Sequence, residues 1–413
     1  MLICFKRTAL LFLICSLLPA ALFSAPYKLG LILPLTGPEK WLGRELRDGA
    51  QLSAEDSPST DRPELIVLDD GGLSSKLERH LTQLNRNRDV LAVIGGGSFG
   101  QTKTIDNMAN RLEYPVLICG DPLGSSKQKS KVFQLLPTNA QQFAAIFAYL
   151  NATIPAALSK KTIAVITQSG QQSELPLQQT AAAVGASVKI VKTASGRLST
   201  SQARDLRRGS TKAVIVVGNN GDSLRACQEV RRASINSPIF GRLRQASDDF
   251  EQAAKGRVSD FFAVTAAGHE MFPPCEPTFV KRFFTRFGRK PTSWAALAYD
   301  GVQLANKAVK AANNSRSRVG RELASLPMHF GVGFVFDPGS DELWFPSVAR
   351  LNEEGFITRQ PPGKMKPLAE VPVSRNQARR SNRARVNRRQ TTKDITQTGR
   401  INKWRHFLVL PGR

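Results

Sequence analysis

The chain has 413 residues, 41% of them hydrophobic, which is too apolar for a disordered chain and enough to build two cored domains. Lys and Arg outnumber Asp and Glu by 58 to 33, a net charge of +25, yet 14 of the basic residues stand against only Glu370 and Asp394 in residues 363–413. Beyond the first segment the cysteines are Cys119, Cys227 and Cys275; neither they nor the four scattered histidines have metal-ligand spacing, so neither a structural metal nor a cofactor is expected.

In chain order, Lys6 and Arg7 precede an apolar run from Thr8 to Phe23 and the small residues Ser24 and Ala25. This is the layout of a secretory signal over residues 1–25, the run being short for a membrane span. Cys15 follows the bulky Ile14, a poor setting for lipid attachment. "KLGLILPL" then reads as a buried parallel strand. After the turn "TGPEK", Leu42, Leu46, Ala50 and Ala54 recur every four residues and predict a helix. The alternation continues with strand "ELIVLDD", a helix marked by Leu73, Leu77, Leu81 and Leu84, and strand "VLAVIGG". A helix through Ile105, Met108, Ala109 and Leu112 and strand "YPVLICG" complete this half. It restarts at "TIAVITQ" and runs through "SVKIV", "KAVIVVG", "SPIFG" and "DFFAVTA", with helices near 173–184, 199–208 and 223–233. Short loops between alternating strands and helices imply right-handed crossovers and two doubly wound α/β halves. Helices then follow over 277–286 and 293–312, and "GVGFVFDPGSDELWFPSVARL" reads as two strands about a turn. This late mixed segment should return to complete the earlier halves. Its Tyr299 is expected in the core, and Asp300 in a helix rather than a cleft loop.

The basic tail, with "SRNQARRSNRARVNRRQTTK" at its centre, lacks the apolar residues needed for a core and reads as a disordered extension. Such a tail attracts anionic surfaces, but nucleic acid is not an expected partner of an exported chain.

"AVIGGGSFGQT" contains Gly95, Gly97 and Gly100 in G-x-G-x-x-G spacing, with Asp121 some twenty residues on. A dinucleotide fingerprint belongs in the first strand–helix turn of its domain, with an acidic residue such as Asp69 or Asp70 offered to the ribose. Here the glycines follow the third strand, so a nicotinamide enzyme is set aside and the chain is not expected to be an enzyme. Backbone N–H groups at the helix start would instead suit an anion; the alternative is that the glycines serve tight packing.

The order and spacing of "LGLILPLTGPEKWLG", "LIVLDDGG", "VLAVIGGGSFGQT", "YPVLICGDP" and "FGRKPTSWAALAYDGVQLANKAV" carry a resemblance. The chain resembles the type I periplasmic solute-binding proteins of the branched-chain amino-acid group over roughly residues 27–358. The resemblance implies an α/β fold of two doubly wound parallel-sheet lobes joined by three crossovers. The first lobe spans residues 26–140 with a return segment 270–330, the second 141–269 with a return segment 331–360, and 361–413 is the tail. It implies a monomer in the periplasm that captures a small molecule between the lobes and delivers it to the permease of an ABC importer. A sensor or envelope interaction module on the same fold is the alternative. Carried over position by position, the ligand-contacting places fall on Trp41, Leu42, Gly97, Ser98, Phe99, Asp121, Gln172, Asn220, Arg242 and Arg244. Where the family pairs an acidic residue with a ligand ammonium, this chain has Leu243 between two arginines, which disfavours a zwitterionic amino acid and suits an anion. Asp121 reads equally as a cap or turn former.

Overall fold

The computed structural model describes residues 27–122, 131–158, 162–168, 174–266, 277–327, 329–332, 335–336, 346–352 and 355–358. The expected signal and basic tail lie outside them. Among the described residues no helix is long and apolar enough to cross a membrane.

The first half follows the apolar pattern. Strands β1 (Lys28–Leu33), β2 (Glu64–Asp69), β3 (Val90–Gly95), β4 (Val116–Ile118) and β5 (Val132–Gln134) form one parallel sheet in the order β2-β1-β3-β4-β5. Almost every residue of β1 and β3 is buried, as continuous apolar runs covered on both faces require. Helices α1 (Lys40–Asp56), α2 (Ser74–Arg86) and α3 (Phe99–Met108) provide the crossovers. The stripe Leu42, Leu46, Ala50 of α1 is fully buried, as its spacing predicts.

The second half begins with α4 (Asn139–Thr153) and continues with β6 (Ile163–Gln168), α5 (Glu174–Ala183), β7 (Val188–Thr193), α6 (Thr200–Arg208), β8 (Ala213–Val217), α7 (Asn220–Arg232), β9 (Ile239–Gly241), α8 (Asp248–Ala254) and β10 (Phe261–Ala266). The helices α9 (Pro277–Phe287), α10 (Ser293–Ala311) and α11 (Arg316–Ser325) and strands β11 (His329–Phe330), β12 (Val335–Phe336), β13 (Pro346–Asn352) and β14 (Gly355–Thr358) complete the chain. The second sheet runs β14-β13-β10-β9-β8-β6-β7, parallel from β10 to β7 and antiparallel at β13 and β14. Helix α10 lies on α1 of the first lobe, so closely that a Cβ on Gly49 would stand 2.0 Å from the Ala295 carbonyl oxygen. The late segment thus returns to both lobes: α10 packs on α1 of the first, and β13 and β14 extend the sheet of the second. Its two expected strands do not pair with each other: β12 joins β11, while β13 joins the second sheet beside β10.

Helix α10 also fixes the return. Asp300, in the helix as expected and buried, accepts the N–H of Val332 at 2.8 Å. Tyr299 packs against Phe279 and donates its hydroxyl to Asp56 at 2.8 Å. Lys307 Nζ approaches His329 Nδ1 at 2.9 Å. Burial, aided by that ammonium, pushes the His329 imidazole down to about 4. A base depressed in the folded state contributes stability that is full above its unfolded value, roughly 6.5, and is lost as pH falls towards the folded one. Denaturation at stepped pH should therefore show a loss of stability between about pH 6.5 and 4 that is shallower in His329→Gln; equal slopes would contradict this.

Candidate functional site

In a doubly wound sheet the loops at the carboxyl ends of the strands are the natural place for a ligand. Five such loops matter here: those after β1, β2, β3 and β4 in the first lobe and the turn 242–247 after β9 in the second.

The glycine loop after β3 is tied inward. Gln101 Oε1 accepts the N–H groups of Gly97 at 2.9 Å and Ser98 at 3.0 Å, while Ser98 Oγ caps the N–H of Gln101. Gln101 Nε2 in turn donates to the buried carboxylate of Asp70 at 2.7 Å, which also holds the Gly72 N–H. Burial raises the Asp70 pKa, although these two donors oppose it. Asp69 accepts from the N–H groups of Leu35, Thr36 and Gly71 and from the Thr36 hydroxyl. Both carboxylates therefore organise turns. The loop's N–H groups at Gly97 and Ser98 are not free to meet an anion, which corrects the expectation from sequence. The glycines answer to close packing instead. A Cβ on Gly120 would stand 2.5 Å from the Gly96 carbonyl oxygen, and one on Gly95 2.7 Å from that of Ile32.

Across from this loop the second lobe offers Arg242 and Arg244, the only basic pair in the turn after β9. Arg244 is 4% exposed and reaches into the first lobe. Its Nη1 lies 2.7 Å from Glu39 Oε1, its Nη2 3.2 Å from Asp121 Oδ2 and 2.9 Å from the Gly97 carbonyl oxygen, and its Nε 3.3 Å from Asp121 Oδ1. Asp121 also accepts the Phe99 N–H, so a carboxylate of the chain itself stands at the start of α3. Burial would raise the Asp121 pKa, but Arg244 and then Arg242 outweigh it and hold the carboxyl below its ordinary value. Arg244 is correspondingly held above the usual arginine range by the same two carboxylates, against its burial.

The turn itself is seated on the crossover into the second lobe. Leu243 N–H donates to Gln142 Oε1 at 3.0 Å and Arg242 Nη1 to Asn139 Oδ1 at 2.6 Å, both acceptors in the first turn of α4. Gln245 Oε1 accepts the Arg242 N–H, and its amide reaches the Gly218 carbonyl and Asn220. Asn220 in turn donates to Ser247 at 2.9 Å.

The structure thus gathers Gly97, Phe99, Asp121, Arg242 and Arg244, with Ser98 and Asn220 one bond removed. It does not bring Trp41 or Leu42 there. Leu42 belongs to the buried stripe of α1, and Trp41 packs edge-on against Trp294 with ring centroids 6.1 Å apart, both within a buried cluster of the first lobe that Leu243 of the β9 turn also joins. An aromatic inside that core is better desolvated than one on a polar gap. Gln172 lies outside the described residues. Sequence reading passed over Glu39, Gln101, Asn139, Gln142 and Gln245. Glu39 had one signal: two arginines a residue apart in a cleft turn call for loop acids, and "TGPEK" contains one.

A family model described as a periplasmic binding protein matches residues 26–336. No curated protein matches the sequence. Among solved structures, the leucine-binding protein LivK of Thermotoga maritima is 18% identical with a TM-score of 0.71, covering 81% of this chain and 98% of that one. The branched-chain amino acid transporter substrate-binding protein LivJ of Streptococcus pneumoniae, in complex with isoleucine, is 19% identical with a TM-score of 0.68, covering 81% and 100%. A solute-binding protein of an ABC transporter from R. palustris, in complex with benzoate, is 19% identical with a TM-score of 0.68, covering 81% and 95%. At these identities the likeness is one of fold.

Proposed function

The chain belongs to the periplasmic binding protein family, and from that membership we propose that it captures a small molecule between its lobes and delivers it to the permease of an ABC importer. The proposed setting is the periplasm, with residues 1–25 as export signal, and the proposed working form is a monomer. The observation that supports this reading most is the contact at Arg244. One side chain of the second lobe joins three groups of the first at the carboxyl ends of the strands. Separation of the lobes breaks that contact, and a solute that touches both lobes biases the equilibrium back towards closure by its difference in affinity for the two states. No covalent step is required. Isoleucine and benzoate are ligands of two structurally similar proteins, and both carry a carboxylate, so small carboxylates head the candidates.

The experiment is native mass spectrometry of the chain purified from its export compartment, with thermal melting against a metabolite panel. The reading predicts a small-molecule adduct lost on denaturation and at least one compound that stabilises by about 2.7 kcal/mol at a hundredfold excess over its Kd. A chain that carries no adduct and responds to no compound would overturn it.

A further inference from the structure

Two buried guanidiniums share the turn after β9, and the fold provides for them unequally. Arg244 has two carboxylates and a backbone carbonyl. Arg242 is as deeply buried, 5% exposed, yet its Nη1 donates to one neutral acceptor, Asn139 Oδ1, and its Nε has no partner among the described residues. The charges of Glu39, Asp121, Arg242 and Arg244 cancel in sum, but the hydrogen bonds do not. Asp121 directs its oxygens to Arg244 and to the Phe99 N–H, and Glu39 directs its own to Arg244. A buried donor left open on a charged group is costly unless an acceptor arrives.

We propose that Arg242 anchors the carboxylate of the captured molecule through its Nε edge, and that this molecule carries no ammonium group. The inference rests on the solute-capture reading. Its first half follows from the open donor and from the planar guanidinium, whose paired N–H bonds suit a carboxylate. The glycine loop after β3 offers an anion no comparable place, since its Gly97, Ser98 and Phe99 N–H groups are already bonded. The second half follows from Glu39 and Asp121. Both are paired with Arg244, so an ammonium enclosed beside them would displace a buried bridge or remain unpaired. The ligand class is therefore a monocarboxylate with an uncharged body.

The test is calorimetric titration of the full chain with two probe series of matched skeleton. One is 4-methylpentanoate, leucine and 3-methylbutylamine; the other is 3-phenylpropanoate, phenylalanine and phenethylamine. At least one carboxylate should bind ten times or more tighter than its amino acid, and neither amine should bind. Arg242→Gln should weaken the carboxylate about 30-fold or more, with partial recovery in Arg242→Lys. The ranking in the unaltered chain decides the matter even if a variant fails to fold. An amino acid or amine that binds as tightly as the matched carboxylate, or carboxylate binding that survives Arg242→Gln in full, would overturn the inference and leave solute capture intact. Absence of any small-molecule binding, with no retained adduct, would instead overturn the capture reading beneath it.

Discussion

Arg244→Gln should lower the unfolding free energy by about 3 kcal/mol at neutral pH. The substitution keeps a polar side chain of similar length but leaves Glu39 and Asp121 facing each other's field without a cation between them. Breaking a buried pair from one side costs more than the pair contributes, because the remaining charge stays desolvated. The two carboxylates keep 19% and 17% exposure, so water recovers part of the loss and the lower end of the range applies. The effect should depend on pH with a definite sign. Asp121 is held below its ordinary pKa in the folded chain, so its pairing contributes stability above the unfolded value, roughly 3.9, and that contribution is lost as pH falls through the folded value. The unaltered chain should therefore lose stability below about pH 4, and the variant less. Denaturant titration at pH 7, 5 and 3 measures both, and a cycle with Asp121→Asn should give a coupling of about 1.5 kcal/mol or more. Additive effects would show that the bridge carries no energy.

The second large effect concerns the face between α1 and α9. Glu45 and Asp48 are acidic yet lie on the inner side of α1, 1% and 4% exposed. Arg289, just beyond α9, places Nη1 2.7 Å from Glu45 and Nη2 2.8 Å from Asp48, and its guanidinium stacks over Phe283 at 5.0 Å. Thr292 adds its hydroxyl to Glu45 at 2.8 Å. Arg44 and Arg47 also reach these acids, but from the half-exposed side, where solvent screens them. Arg289→Met should cost about 3 kcal/mol by thermal or chemical denaturation, whereas Arg286→Ala, which removes an exposed, solvent-screened pair with Glu55, should cost far less. Arg289→Lys should recover only part, since an ammonium cannot serve two carboxylates as a fork does. Equal effects at 286 and 289 would contradict the difference in burial on which this rests.

Much of the architecture was legible because strands covered on both faces leave continuous apolar runs, as in β1, β3 and β8, and helices with one covered face leave a stripe, as in α1 and α2. Helix α4 was not legible. "NAQQFAAIFAYL" is apolar nearly all round, since it packs against α5 on one side and β13 on another, and so shows no period. Strand β5 has three residues, too few to show any pattern. The site was harder still. Arg244 meets Glu39 across 205 positions and Asp121 across 123, and nothing local in either segment records the meeting. The glycines of the third loop misled in a specific way. Their spacing suggested open N–H groups, but Gln101, four residues on from Gly97, closes them. Trp41 misled because a bulky aromatic beside a cleft-facing turn is as readily turned into the core as out of it. The resemblance supplied the loops and the fold; which side chains in those loops are free depended on contacts between lobes.

Arg244 of one lobe holds Glu39 and Asp121 of the other across the gap. The most direct test of that hold is the inter-lobe distance, measured by pulsed electron spin resonance between labels at Arg79→Cys and Arg204→Cys with the native cysteines replaced by serine. The otherwise unaltered chain should give a shorter, narrower distribution than the same chain carrying Arg244→Gln. Identical distributions in the two would contradict it.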